Sequence, residues 1–216
     1  MRKNHNSEPT VYIVDDEPDV SASLKALCES IGLNVCVYEG CQAFLEAMPL
    51  GCGCILLDVR MPDMSGLELQ ERLRELDSTT PIIFLTAHGR VSTAVRAMRN
   101  GAEDFFVKPF DHEHLLQAIR RAIRVDRETR REKAATEATQ RRLQALTPRE
   151  ADVLDGVVAG KTNKDIARDL GISYKTVELH RSHLMEKTEA ATVVDLVKMC
   201  VAAGKLNPRD MLTDGQ

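Results

Sequence analysis

At 216 residues the chain suits two small domains, or one ordinary domain with long extensions. Hydrophobic residues make up 43% and charged residues 29%, which excludes wholesale disorder. No apolar run approaches the roughly 20 residues that cross a bilayer, and the start MRKNHNSEP has no signal-peptide core, so no membrane contact and a cytoplasmic location are expected. The net charge of −4 is modest for a nucleic-acid binder. Six cysteines, at 28, 36, 41, 52, 54 and 200, include no CxxC pair, which favours reduced, buried thiols over a metal site.

From Thr10 the pattern alternates. Short apolar runs (VYIVDD, the stretch from Leu33 to Tyr38, CILLDV, PIIFLTA and EDFFVKP) are separated by segments with helical spacing, such as Val20, Leu24, Leu27, Cys28 and Ile31. Five buried strands separated by helices predict a doubly wound parallel sheet covered on both faces. After Phe110 the sequence turns helical, with Leu115, Leu116, Ile119, Ala122 and Ile123 on one stripe. Residues 126–142 are charged, Ala-rich and free of Gly and Pro, which predicts an exposed helix, with a flexible tether as the alternative. Thr147-Pro148 with Glu150 reads as a fresh helix start, and Gly160, Gly171 and Gly204 mark the ends of short helices. From Asn207 the tail is expected to fray.

Four strand ends carry polar residues: Asp15-Asp16, Asp58, Thr86 and Lys108. In an open parallel sheet such ends face the crevice where ligands bind. Carboxylates held together repel one another, and a hard divalent cation with oxygen ligands relieves this. The expected metal is Mg²⁺, with Asp16, Asp58 and the backbone carbonyl of Arg60 as ligands. A carboxylate nucleophile attacking a phosphoryl donor needs neutralisation of this kind, and the Lys108 ammonium and Thr86 hydroxyl suit the developing charge.

The segments VYIVDDE, ILLDVRMPDMSGLEL, IIFLTAHG and DFFVKPF resemble the receiver domain of two-component response regulators, a flavodoxin-like (βα)5 fold, over residues 10–125. The resemblance implies that Asp58 is the phosphoacceptor and that Asp15 and Asp16 are the acidic metal pair. It makes Thr86 and Lys108 phosphoryl contacts, Phe105 a switch aromatic, and Lys108-Pro109 a cis peptide; it also puts Arg60 and His88 where phosphoryl lifetime is tuned. Phe106 must point to the opposite face from Phe105. An aspartyl-phosphate hydrolase is the competing class, but its usual second aspartate, two residues after the nucleophile, is Arg60 here. The chain is therefore expected not to be an enzyme, beyond self-phosphorylation and autodephosphorylation at Asp58.

The stretch from Leu146 to Gly204 (LTPREADVL, NKDIARDLGIS, KTVELHRSHLMEK) resembles the all-α helix-turn-helix output domain of LuxR and NarL regulators, expected over residues 143–207. The run AATVVDLVKM and the receiver's MRNGAEDFFVKPF place it in a FixJ-like subgroup. Val177 and Leu184 should face inward, and Glu178, Leu179 and Ser182 outward as base contacts, with Thr176 beside them. Lys161, Lys164, Lys175, Arg181 and Lys187 are the expected phosphate contacts, and ordinary solvated charge is the bland alternative for each. Thr188 departs from the family's usual pattern before the last helix. The output domain is nearly neutral, so one copy should bind weakly and two copies much better. The expected partners are thus DNA, a cognate histidine kinase and, on phosphorylation, a second copy of the chain. Arg96, Arg99, Asp104 and Arg120 are candidates to pair across that dimer, with ordinary surface salt pairing as the equal alternative. The alternative is a phosphorylation-independent regulator whose receiver only dimerises or docks.

Overall fold

A computed structural model describes residues 8–48 and 51–206; the tail from Asn207 lies outside them. The chain divides into two compact units, Met1–Arg131 and Glu132–Gln216. The first contains β1 (Thr10–Val14), α1 (Pro18–Glu29), β2 (Asn34–Tyr38), α2 (Cys41–Ala47), β3 (Gly53–Asp58), α3 (Gly66–Glu75), β4 (Ile82–Thr86), α4 (Val91–Arg99), β5 (Asp104–Val107) and the start of α5 (His112–Gln144). The five strands form one parallel sheet of order β2-β1-β3-β4-β5. All five strands expected from the sequence are present. Residues 126–142 are helical, within α5.

The two-residue period of each strand builds two cores. Val11, Ile13, Leu56, Ile83 and Leu85 pack on Leu24, Leu115 and Ile119 of α1 and α5. Their neighbours Tyr12, Val14, Ile55, Leu57 and Phe84 pack on Phe44, Leu69, Leu73 and Ala97 of α2, α3 and α4. β3 is buried along its whole length, so the side chain that ends it stands on a rigid base. Gly53, which starts β3, has no alternative: a Cβ there would lie 1.8 Å from the carbonyl oxygen of Thr10. All six cysteines are free, and Cys28, Cys41, Cys54 and Cys200 are buried; Cys36 is exposed, against expectation, because β2 is an edge strand.

The second unit has α6 (Pro148–Val158), α7 (Asn163–Leu170), α8 (Tyr174–Thr188) and α9 (Val193–Ala202) around Val153, Leu154, Val157, Ile166, Val177, Leu184 and Leu196. Each helix starts as its sequence dictates. Thr147 and Thr192 form capping boxes with Glu150 and Asp195, and Thr162 and Ser173 cap α7 and α8. Gly171 ends α7 in the left-handed conformation that makes the tight turn into α8.

Candidate phosphoryl-acceptor site and nucleic-acid interface

The strand order reverses direction between β1 and β3, which opens a crevice at their carboxyl ends. Asp15 follows β1, Asp58 ends β3, and Lys108 follows β5. The Lys108 ammonium reaches between the two acids: Nζ donates to Asp15 Oδ2 at 3.0 Å and to Asp58 Oδ1 at 3.3 Å. Asp15 and Asp58 are both buried. The second Asp58 oxygen accepts from the backbone N–H of Arg60 at 2.5 Å, and Asp15 Oδ1 accepts from the N–H of Glu17 at 2.9 Å. Lys108-Pro109 is a cis peptide, as the resemblance implied.

Burial raises the Asp58 carboxyl above its usual range, against the pull of the Arg60 N–H and the Lys108 charge, while the nearby Asp15 charge adds to the rise. Burial would lower Lys108, but its hydrogen bond to Asp15 and the charges of Asp15 and Asp58 raise it overall. The crevice thus holds more negative than positive charge, and all its acidic donors are hard oxygens. That donor set fits a divalent cation such as Mg²⁺. Among the described residues, however, no three His, Cys, Asp or Glu side chains are gathered as a ready metal cage. Asp16 is exposed on the loop after β1.

Thr86, at the end of β4, is buried, and its hydroxyl oxygen accepts from the His88 N–H at 3.2 Å. Arg60 and His88 are exposed at the mouth of the crevice. Phe105 is half-buried in the core shared with α3 and α4, 6.1 Å from Phe84 between ring centres, while Phe106 packs in the opposite core, as the strand period requires. Sequence reading missed Glu17, whose carboxylate lies 3.6 Å from Lys108; it directly follows the acid pair and is a third acidic neighbour of that ammonium. Reading also missed Asp63, which accepts from the N–H of Gln42 at 2.8 Å and so ties the loop after β3 to the start of α2.

In the second unit, α7 and α8 with the Gly171 turn form the helix-turn-helix. Val177 and Leu184 are buried, and Lys175, Glu178, Leu179 and Ser182 are exposed along one face of α8. That face begins with Tyr174, 47% exposed and unnoticed in the sequence, although it lies four residues before Glu178. Leu179 is 54% exposed on the same face. Thr176 is half-buried and committed to the cap of α8 through Ser173. Three expected phosphate contacts already have partners: Lys161 with Asp169 at 2.7 Å, Arg181 with Asn163 at 2.9 Å, and Lys187 with Glu150 at 2.7 Å. Lys164 and Lys175 enter no ion pair among the described residues. Thr188 is buried, and its hydroxyl donates back to the Leu184 carbonyl at 2.7 Å, which accommodates the unusual residue inside the helix end.

Comparison with known proteins matches both halves. Residues 11–120 match the response regulator receiver domain, and residues 144–200 match the bacterial regulatory proteins of the luxR family. The chain belongs to the response regulators. It is 40% identical to the transcriptional regulatory protein FixJ of Bradyrhizobium diazoefficiens, over 91% of this chain and 97% of that one. It is also 40% identical to the response regulator protein TodT of Pseudomonas putida, over 92% and 88%. Among solved structures, the response regulator StyR superposes with a TM-score of 0.85 at 38% identity, covering 90% of this chain and 99% of that one. Full-length FixJ from B. japonicum superposes with a TM-score of 0.56 at 39% identity, over 94% and 100%. This response regulator is therefore a two-component transcription regulator with a receiver and a LuxR-type DNA-binding domain, and not an enzyme in its family role. No helix among the described residues is long and apolar enough to cross a membrane.

Proposed function

We propose that this response regulator is switched by phosphorylation of Asp58 by a histidine kinase, and that the switch drives pairing of receivers and binding of two output domains to an operator. The observation that carries the proposal is the meeting of Asp15, Asp58 and Lys108, from three strands, around one buried carboxylate. An Asp58 oxygen attacks the phosphorus of the kinase phosphohistidine; the P–N bond breaks, the imidazole leaves with the electron pair, and an acyl phosphate remains. Lys108 turns from the carboxylate to the phosphoryl oxygens, and the Thr86 hydroxyl is released from the His88 N–H to reach them. Asp15, Asp16, Asp58 and the Arg60 carbonyl would hold Mg²⁺, which supplies charge neutralisation to the phosphoryl group. Phe105 follows Thr86 inward, and Arg60 and His88 at the mouth govern access of hydrolytic water.

The face of α4 and β5 supports receiver pairing, because Val91, Val95, Met98 and Val107 are exposed there; Val91 is 80% exposed. Two of the four charged residues considered for that dimer are taken up in ordinary surface pairs. Arg96 is engaged by Glu71 at 2.7 Å, and Asp104 by Arg121 at 2.8 Å, within the same chain. Apolar contact, rather than those charges, carries the proposed interface. On DNA, the Tyr174–Ser182 face of α8 enters the major groove, with Lys164 and Lys175 on phosphates. The proposed division is a receiver over 10–125, a helical linker over 126–142 and an output domain over 143–207, in a cytoplasmic protein.

The test is chemical. Wild-type protein is incubated with acetyl phosphate and Mg²⁺, reduced with borohydride and mapped by mass spectrometry. The expected product is homoserine at position 58, absent in Asp58→Asn. Absence of any adduct in wild type, or an adduct at another residue, overturns the proposal.

A further inference from the structure

The last buried residue of α5 is an acid. Leu115, Ile119 and Ala122 form the buried stripe of that helix, and Asp126 continues it with 0% exposure. A carboxylate at such a position is costly unless it is partnered. Asp126 Oδ2 accepts from the backbone N–H of Gly53 at 2.8 Å, where β3 begins. The same oxygen accepts from Nε of Arg130 at 2.8 Å, one turn further along α5. Arg130 Nη2 in turn donates to the Thr80 hydroxyl at 3.1 Å, on the segment leading into β4. Asp126 Oδ1 is buried with no hydrogen-bond partner among the described residues. The cluster lies at the opposite end of β3 from Asp58 and takes no part in the phosphoryl chemistry.

A buried ion pair is a poor source of stability. An apolar residue would complete the stripe, and replacing a buried ion pair by apolar side chains is commonly neutral or stabilising. The cluster instead supplies a fixed attachment. Beyond Asp126, α5 has no buried residue as far as Gln144, and its charged sequence has little packing to keep it helical. The compact first unit ends at Arg131, directly after Arg130. Glycine at 53 brings its N–H within reach of Asp126 where the backbone of β1 leaves no room for a side chain.

We infer that Asp126 and Arg130 are positioning residues that clamp the outgoing turn of α5 to the starts of β3 and β4, so that the linker leaves the receiver as a held helix. As an element of signal output this rests on the proposed function; as a property of the helix it does not.

The experiment is amide hydrogen exchange on the full-length protein, comparing wild type with Arg130→Ala, Arg130→Lys, Thr80→Val and Asp126→Asn. Arg130→Ala should speed exchange over residues 127–135 at least about tenfold, the lower end of what one hydrogen bond to a charged group is worth, and leave residues 112–123 unchanged. Arg130→Lys should recover part of the protection. Equal acceleration throughout the receiver, or none at 127–135 in any of these variants, overturns the inference. A second arm measures the ratio of DNA affinities with and without acetyl phosphate. If phosphodonor does not change wild-type affinity, the switch reading fails while the exchange result still decides the clamp. If wild type responds, the ratio should fall at least about threefold in Arg130→Ala while its unphosphorylated affinity is kept; an unchanged ratio removes the clamp from signal output.

Discussion

Lys187→Met is the sharpest test of how the output domain is held together. Glu150 sits at the third position of α6, buried, and its Oε2 accepts from the Thr147 N–H at 2.8 Å and from Lys187 at 2.7 Å. The Lys187 hydrogen bond, followed by the cap from Thr147, holds the Glu150 carboxyl down at about 2, against an ordinary value of 4.5. Taken whole, that interval is about 3 kcal/mol. Lys187 is 38% exposed, so water screens its share, and the expected loss in Lys187→Met is about 1–2 kcal/mol at pH 7. A carboxyl whose folded value is lowered contributes stability above about pH 4.5 and loses it as pH falls towards 2. The gap between wild type and Lys187→Met should therefore narrow by about a third between pH 7 and about pH 3 and go on closing as pH falls towards 2. The assay is urea unfolding of the full-length chain followed by exchange of α6 and α8 amides. A gap that is absent at pH 7, or as large at pH 3 as at pH 7, refutes the reasoning.

Other perturbations bear on the receiver and the DNA face. Gly53→Ala should cost about 3 kcal/mol in urea unfolding of the receiver, since its methyl must displace the β1 backbone; a loss below about 1 kcal/mol would mean the strands shift freely. Asp58→Asn should raise metal-free receiver stability, because a carboxyl whose folded value is raised costs stability as pH climbs above its unfolded value. That gain should be present at pH 7 and vanish well below pH 3.8; thermal melts without divalent ions check it, and a gain independent of pH contradicts it. Tyr174→Ala and Leu179→Ala should each weaken binding to a selected operator about tenfold. Melting should show folding changed by less than about 0.5 kcal/mol, and equal losses on random DNA would deny either residue a part in sequence reading.

Most of the receiver was legible because strand ends in a parallel sheet are constrained twice, by the apolar run before them and by the polar residue that stops it. Asp58 after Cys-Ile-Leu-Leu is the clearest case, and Phe105 and Phe106 fell into opposite cores as the two-residue period demands. What escaped was partnership between distant residues. Lys161, Arg181 and Lys187 looked like free cations, but Asp169, Asn163 and Glu150 take them up, and no local pattern reveals such pairings. Asp126 stood at the head of a charged run, and only the Gly53 amide, 73 positions earlier, makes sense of its burial. Tyr174 was overlooked because attention to an inward stripe leaves the first turn of a helix unassigned.

The central claim is that Asp58 switches DNA binding. Its most direct test measures binding to a selected-site DNA library, with and without acetyl phosphate and Mg²⁺, for wild type and Asp58→Asn. The account predicts that the phosphodonor tightens sequence-specific binding by wild type and leaves Asp58→Asn unmoved. Equal binding by both proteins under every condition would contradict it, and would make the receiver a docking or dimerisation module.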